Sequence, residues 1–339
     1  MTANLPEGLH AFITEANWGA AAVEPLPGDA SFRRYFRLRD GAKTAMLMHA
    51  PPPHEDPAPF LAVAKWLSAN GLRAPAILHE RGADGWVLLE DFGNDRVRDH
   101  LDIHPADETP VYAAAVDALV ELAGLPGGPW APYDMAVYLR EVRLLTEWYV
   151  PAMGLSVDAA AYDAAWAQVM APVLARQAAY NATGGVTVLR DYHAENIMLL
   201  AGAEGAPDVA AQGLLDFQDA LVGHPAYDLV SLLQDARRDV SPALEAAMLA
   251  HYLTATGADR AEFMADYAVL GAQRNAKIVG IFVRLCRRDG KPRYLDLIPR
   301  VWALMERDLA HPALAPVAAW FDANIPADIR GAHGGRVPA

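Results

Sequence analysis

The chain has 339 residues, of which 53% are hydrophobic and 21% charged, so it has the composition of a globular protein with ample material for a core. Its formal net charge of −14 argues against general binding of nucleic acid or anionic membranes, although a local basic patch can still bind an anionic substrate. The single cysteine, Cys286, excludes an intrachain disulfide. There is no 18-residue apolar run and no signal peptide in residues 1–16, and we therefore expect a cytoplasmic protein.

The first 93 residues carry mostly strand signals. Asp40-Gly41 is a hairpin turn signal between two of the predicted strands. Asn70-Gly71 is a plausible C-cap for the helix that precedes it. In chain order the pattern predicts a helix over 7–18, strands over 31–38 and 44–48, a helix over 60–69, and strands over 76–78 and 86–89.

After about residue 95, alanine-rich helical segments dominate. They are predicted near 107–123, 134–149 and 158–180, and helices resume over 227–255 and continue towards the end. One strand–loop–strand unit, 186–217, interrupts them. The pattern predicts two lobes, a small sheet-rich one over 1–92 and a larger helical one over 93–330. The Gly/Pro-rich tail 331–339 is expected to fray.

The strongest chemical signal is a D-x₄-N motif that follows a short apolar strand. Asp191 and Asn196 are its two polar ends, and Asp216 follows a second apolar strand 20 residues later. Phosphoryl transfer needs a group that orients the acceptor and accepts its proton, and oxygen ligands for Mg²⁺. The pattern therefore predicts Asp191 as the catalytic base and Asn196 and Asp216 as metal ligands. Each residue alone could simply cap a turn.

These residues resemble the catalytic loop and the metal-binding aspartate of the aminoglycoside phosphotransferase and choline kinase superfamily, whose plan protein kinases share. The resemblance implies an α+β, bilobal protein-kinase-like fold and an enzyme that uses ATP and Mg²⁺ on a small-molecule acceptor. It also places a phosphate-covering loop at residues 28–35, with Gly28 and Ser31 binding the nucleotide. Only Gly28 of this loop is a glycine.

One departure from the family concerns the lysine on the third strand that holds the nucleotide phosphates. Met48 occupies that place, and Lys43 lies in the preceding turn. The phosphate cation must then come from elsewhere, and Arg33 and Arg34 are the predicted replacements. The alternative for this arginine pair is a structural ion pair with a carboxylate.

Two further positions are assigned by resemblance. The segment that starts at Glu90 lies at the predicted lobe junction. In the family, backbone groups at this place would form hydrogen bonds with the edge of the adenine. Asp228 matches an aspartate that steadies the catalytic loop. Glu90 is therefore predicted to lie at the nucleotide, and Asp228 to have a structural role.

The acceptor is also indicated by resemblance. Four segments are similar to the bacterial anomeric amino-sugar kinases, which act on N-acetylmuramate and N-acetylglucosamine in cell-wall (peptidoglycan) recycling: 27–37, 88–93, 216–220 and 288–295. The likeness spans roughly residues 25–300. The side chains predicted to bind the sugar are His193, Glu195, Asp219 and Arg288.

Residues 274–300 contain eight basic and two acidic residues, in a chain that is acidic overall. Arg274, Lys277, Arg284 and Arg288 can share one flank of a helix. This flank is either an ion-paired surface or a patch for an anionic sugar, such as the carboxylate of N-acetylmuramate.

The sequence leaves two alternative functions open. One is an aminoglycoside, choline or fructosamine phosphotransferase. The other is a catalytically silent nucleotide-binding protein, which the missing lysine favours and the intact Asp191, Asn196 and Asp216 oppose. In each case the expected partners are small molecules, with neither nucleic acid nor membrane.

Overall fold

The computed structural model describes residues 5–27, 32–200, 208–331 and 334–337. The elements up to residue 123 are α1 Leu9–Glu15, β1 Ala22–Pro25, β2 Arg34–Asp40, β3 Lys43–His49, α2 Ala58–Ala69, β4 Ile77–Arg81, β5 Trp86–Glu90, α3 Val97–Ile103 and α4 Glu108–Ala123. The later ones are α5 Met135–Leu144, α6 Val150–Ala152, α7 Ala159–Ala179, β6 Val186–Val188, β7 Ile197–Leu199, β8 Gln212–Leu214, β9 Leu221–Gly223, α8 Ala226–Leu233, α9 Pro242–Thr256, α10 Arg260–Arg287, α11 Ile298–Leu309, α12 Ala315–Asn324 and α13 Ala327–Arg330.

The strands form one larger and two small sheets. Five antiparallel strands have the order β1-β2-β3-β5-β4. The pairs β6–β9 and β7–β8 are separate two-stranded antiparallel sheets. The sequence predicts β2 to β6 and β8 near their observed places but not β1, α3, β7 and β9, because such short segments carry little periodicity.

Alternation along the strands creates the core of the five-stranded sheet. Phe36 pairs with Leu47 and Leu38 with Ala45, and all four side chains are at most 1% exposed. The i, i+3, i+4 spacing of α1 directs Leu9, Phe12 and Ile13 to one side of that helix, and these residues belong to the same buried cluster. The apolar face of the sheet is thus covered by the N-terminal helix.

The chain divides into two compact units. The first unit comprises Met1–Ala114 and Glu195–Asp219, and the second comprises Ala115–Ala194 and Ala220–Ala339. These bounds differ from the lobe boundary predicted at residue 93, which stays a prediction. Of the tail predicted to fray, residues 332–333 and 338–339 lie outside the described residues.

The 28-residue helix α10 organises the second unit, where it packs against α5, α8 and α11. The segment predicted as one helix over 134–149 is α-helical to Leu144 and π-helical over Leu145–Tyr149. At this junction α10 approaches very closely: a Cβ on Gly280 would lie 2.3 Å from the backbone C and O of Leu144. Glycine is therefore required at the crossing. Among the described residues, no helix is both long and apolar enough to cross a membrane.

We expect Gly280→Ala to destabilise the protein by about 1–3 kcal/mol or more, because the added methyl group meets backbone atoms that cannot rotate away. Gly82→Ala is the matched control, since its Cβ would meet only side-chain atoms at 3.9 and 4.0 Å. Urea unfolding of both variants measures the difference. Equal stabilities for the two would contradict the close approach of α10 and α5.

Candidate active site

The loop that carries Asp191 follows β6 in the second unit and is fixed by Asp228 on α8. The Asp228 carboxylate accepts the backbone N–H of Leu189 at 2.6 Å and that of Arg190 at 2.8 Å. Burial raises the pKa of Asp228 to about 7, while the two N–H donors favour its ionised form. Asp228 therefore holds the backbone of the loop that carries Asp191, as the resemblance implies.

Asp191 is partly buried among positive charges. Burial by itself raises the pKa of its carboxyl group, but the positive charges of Lys277 and Arg274 outweigh this effect, and the pKa lies below its usual value. Asp191 is therefore ionised at neutral pH. Both cations come from α10, whose basic flank is buried at this point: Arg274 is 3% exposed and Lys277 is 9% exposed.

Glu141 on α5 lies at the centre of these charges and is 5% exposed. Its carboxylate accepts hydrogen bonds from Arg190, from the Tyr133 hydroxyl, from Lys277 Nζ at 3.0 Å and from Gln273 Nε2 at 3.2 Å. Burial opposes ionisation here as well, but the charges of Lys277 and Arg190 prevail and lower the pKa of Glu141 to about 2.

His193, predicted to contact the acceptor, belongs to the same loop and is buried. Its Nε2 lies 3.4 Å from Arg237 Nη1. Burial lowers the pKa of His193, and the charge of Asp235 acts in the opposite direction. The imidazole is therefore neutral at pH 7, and it can form hydrogen bonds without carrying a charge.

The two predicted metal ligands meet in the first unit. Asn196 Nδ2 lies 3.5 Å from Asp216 Oδ2, and Gln218 Nε2 donates to Asp216 Oδ1 at 2.9 Å. Asp216 is exposed and has φ 57, a left-handed conformation that aspartate tolerates better than most residues. The next residue, Phe217, is fully buried and stacks on Phe60 with ring centroids 5.1 Å apart. This anchor fixes the turn that presents the carboxylate.

The residues around Asp216 supply carboxylate and amide oxygens, which are the ligands that Mg²⁺ prefers. In the structure the Asn196 amide nitrogen faces the carboxylate. Rotation of that amide by 180° would present its oxygen instead, at little cost. The donor set therefore fits Mg²⁺.

The segment from Glu90 to Asn94 is held from two sides in the first unit. Arg73 pairs with Glu90 through both terminal nitrogens and lies over the Phe92 ring. Arg37, 7% exposed, pairs with Asp91 at 2.8 Å and also donates to Asn94. The Glu90 side chain is thus engaged within the protein, and a role of this segment at a nucleotide stays a prediction.

The predicted phosphate-binding region is described in part. Gly28 and Ser31 lie outside the described residues. Arg33 Nε is 3.4 Å from Glu55 Oε2, and the exposed Arg34 lies over the Phe36 ring at 5.2 Å.

Met48 is fully buried opposite Tyr35, whose hydroxyl lies 3.5 Å from the Met48 sulfur. Burial raises the pKa of Tyr35, and the charges of Arg33 and Asp216 also act on it, in opposite directions. The place where the family has a lysine is thus filled by a buried apolar side chain.

The other predicted acceptor residues are dispersed. Glu195 pairs with Arg98 on α3 in the first unit, and Asp219 is exposed in the same unit. Arg288 caps α10 in the second unit and pairs with Asp289 at 2.7 Å, with a side chain 58% exposed. It lies about 16 Å further along the helix axis than Lys277, at 1.5 Å per residue. The roles of these residues toward a sugar stay predictions.

Several residues of the site were not predicted from the sequence: Arg37, Arg73, Glu141, Gln273 and Asp235. The available signal was a charged residue inside an otherwise apolar segment, as with Arg37 between Phe36 and Leu38, since such a residue needs a partner. The pattern gives no indication of which partner that is. Glu141 had no such signal, because acidic residues are common in amphipathic helices.

The geometry corresponds to a known class of enzymes. The model of the phosphotransferase enzyme family matches residues 22–264, more than two thirds of the chain. The chain belongs to this family and is an enzyme of phosphoryl transfer.

Among curated proteins, it is 40% identical to the N-acetylmuramate/N-acetylglucosamine kinase of Caulobacter vibrioides, over 94% of this chain and 96% of that protein. It is 37% identical to the enzyme of the same name from Pseudomonas aeruginosa, over 90% and 89%.

Solved structures show the same fold. A choline kinase from Streptococcus pneumoniae matches with a TM-score of 0.59 at 12% identity, over 93% of this chain and all of that one. A choline/ethanolamine kinase family protein from Mesorhizobium loti matches with a TM-score of 0.58 at 16% identity, over 92% and 100%. The predicted kinase-like α+β fold is thereby confirmed.

The low pKa of Glu141 makes a prediction about stability. The carboxyl group has a pKa of about 2 when folded and an ordinary value of 4.5. The unfolded chain therefore binds the proton first as the pH falls, and the stabilisation present above pH 4.5 is lost progressively between about pH 4.5 and 2. The difference between these two pKa values corresponds to about 3 kcal/mol in the free energy of unfolding.

We expect the stability advantage of the wild type over Glu141→Gln to shrink as the pH is lowered from 5.5 to 3.5. Urea unfolding at several pH values measures it. A difference that is constant across this range would contradict the ionised state of Glu141.

Proposed function

We propose that this chain is a kinase that transfers the γ-phosphoryl group of ATP to the anomeric hydroxyl of N-acetylmuramate and N-acetylglucosamine. The observation that carries the proposal is its 40% identity, over nearly the full length of both chains, to an enzyme named for these two sugars. Recycling of cell-wall sugars in the cytoplasm, where ATP is available, belongs to the same proposal. Intact Asp191, Asn196 and Asp216 argue against a silent nucleotide-binding protein.

Asp191 would accept a hydrogen bond from the anomeric hydroxyl and direct its oxygen at the γ-phosphorus. As the new O–P bond forms, the bond between the γ-phosphorus and the bridging oxygen breaks and ADP leaves with that electron pair. The hydroxyl proton passes to Asp191. An ionised carboxylate with a lowered pKa is a weak base. Its main contribution is therefore orientation, which suits a loose transition state in which the proton is lost late.

Asn196 and Asp216 would hold Mg²⁺, which would supply positive charge to neutralise the nucleotide phosphates. The Phe217 anchor keeps Asp216 in its left-handed turn, so the carboxylate is presented before the ion arrives. Gln218, which donates to Asp216, orients the same carboxylate from the other side.

The nucleotide phosphates need a cation in place of the absent strand lysine. Arg33 and Arg34 are the proposed source, together with backbone groups of Gly28 and Ser31, and the backbone at Glu90 would bind the adenine. Both arginines lie within the segment 28–35 that the resemblance assigns to the phosphates. A phosphate oxygen would replace Glu55 Oε2, which lies 3.4 Å from Arg33 Nε.

His193, Glu195 and Asp219 are the proposed partners of the sugar's other hydroxyl groups and acetamido group. His193 is suited to this role because it is neutral and can donate or accept one hydrogen bond. Neutral recognition of this kind would serve both sugars equally, since they share the acetamido group.

The function is tested by ADP release with ATP and Mg²⁺ across N-acetylmuramate, N-acetylglucosamine, glucose, choline and kanamycin. We expect activity on the first two, loss of activity with EDTA, and a reduction of kcat by about 10²–10⁴-fold in Asp191→Asn. Activity on choline or kanamycin alone would overturn the choice of acceptor. Wild-type turnover by Asp191→Asn would overturn the mechanism.

Selection between the two sugars is tested at Arg288. A carboxylate-bearing sugar gains a charge-assisted contact that N-acetylglucosamine lacks, so Arg288→Ala should lose more kcat/KM on N-acetylmuramate than on N-acetylglucosamine. Equal losses would contradict a contact with the carboxylate. Arg274 would then be the next cation to test, because its buried Nη1 has no hydrogen-bond partner among the described residues.

A further inference from the structure

Glu141 connects three parts of the second unit that lie far apart in sequence. Tyr133 precedes α5, Arg190 belongs to the catalytic loop, and Gln273 and Lys277 lie on α10. Lys277 also donates to the Tyr227 hydroxyl at 3.3 Å. Gln273 and Lys277 lie beyond residues 22–264, which match the family model. This connection therefore depends on a part of the chain that the family match does not include.

Arg190, the residue before Asp191, has an unusual backbone conformation. Its φ of 72° lies in the left-handed region, which is strained for a non-glycine residue and persists only where the surroundings fix it. Its N–H is bonded by Asp228, and its carbonyl accepts from Ser231 Oγ at 3.3 Å. Its side chain pairs with Glu141 and lies over the Tyr133 ring at 5.7 Å. Both the main chain and the side chain of Arg190 are thus fixed.

We propose that Glu141 is a positioning residue for phosphoryl transfer, which acts by holding Arg190 and Lys277 so that the Asp191 carboxylate points at the acceptor hydroxyl. The proposal rests on the proposed function, because it assumes that Asp191 acts on the acceptor. Glu141 itself is 5% exposed and engaged by four side chains. Its effect on the reaction would pass through Arg190 to the residue that follows it.

A second buried carboxylate, Glu245, provides a control with nearly the same chemistry. It is 6% exposed, pairs with Arg307 at 2.6 and 2.8 Å, and accepts from the Tyr267 hydroxyl at 2.8 Å. These partners lie on α10 and α11, and none of them belongs to the loop that carries Asp191. Removing its charge should therefore cost stability without affecting orientation at Asp191.

The first experiment compares Glu141→Gln with Glu245→Gln. Both should lower the melting temperature. We expect only Glu141→Gln to reduce kcat, and the KM for ATP to stay unchanged. The reduction should reach up to about 10²-fold, which is the effect of misplacing a reacting group by about 1 Å. Wild-type kcat in a folded Glu141→Gln enzyme would overturn the proposal, as would an equal fall of kcat in Glu245→Gln. Since both results require an active wild type, they leave the proposed function standing.

The second experiment changes Arg190, whose side chain is partly exposed. Its variants test the positioning role of Glu141 even if Glu141→Gln does not fold. Arg190→Gly loses the ion pair but adopts φ > 0 without strain, whereas Arg190→Ala loses the pair and keeps the strain. We expect kcat to follow the order wild type, Gly, Ala. Added to Glu141→Gln, Arg190→Gly should cost little more, because the two side chains act as one unit. Wild-type kcat in Arg190→Ala, or additive losses, would overturn the proposal.

Amide hydrogen exchange gives a readout that is independent of activity. In Glu141→Gln, exchange should accelerate at the Leu189 and Arg190 amides that bond to Asp228, and it should not do so in Glu245→Gln. Unchanged exchange would overturn the positioning role. If exchange accelerates while the wild type phosphorylates neither sugar, the loop restraint is supported and the proposed function is wrong.

Discussion

The ionised carboxylate of Glu141 is the group on which the site in the second unit depends. A carboxylate taken out of water loses several kcal/mol of hydration, which only close cations and hydrogen-bond donors can replace. Arg190, Lys277, Tyr133 and Gln273 provide them here. Because these donors come from separate parts of the chain, the requirement to satisfy one buried charge brings the loop that carries Asp191 together with α5 and α10.

A consequence is that Asp191 keeps its charge although it is partly buried. The cations that satisfy Glu141 also act on Asp191, and Arg274 adds a further positive charge. Asp228 fixes the loop backbone at the same time. One set of residues therefore fixes both the conformation and the ionisation of Asp191. The proposed role of Asp191 needs both fixed before the substrate arrives.

In the first unit the carboxylate of Asp216 is exposed, so burial does not fix its position. Its position depends instead on the buried neighbour Phe217 and on the hydrogen bond from Gln218. At the place of the absent strand lysine, the buried Met48 lies opposite Tyr35 on the neighbouring strand. The nearby cations are instead arginines at the start of β2, and Arg33 is engaged by Glu55.

The sequence by itself determined the type of each long element, the D-x₄-N motif and its following aspartate, and the family, because these depend on residues close together in the chain. It also indicated Asp228 correctly through the resemblance. Only the tertiary structure decided that Glu141 is the partner of Arg190 and Lys277, that Arg73 pairs with Glu90, and that the basic flank of α10 is buried near Asp191 but exposed at Arg288. Periodicity shows which face of an element is buried. The partner of a buried charge is set by the packing of elements that are distant in sequence, which no local pattern records.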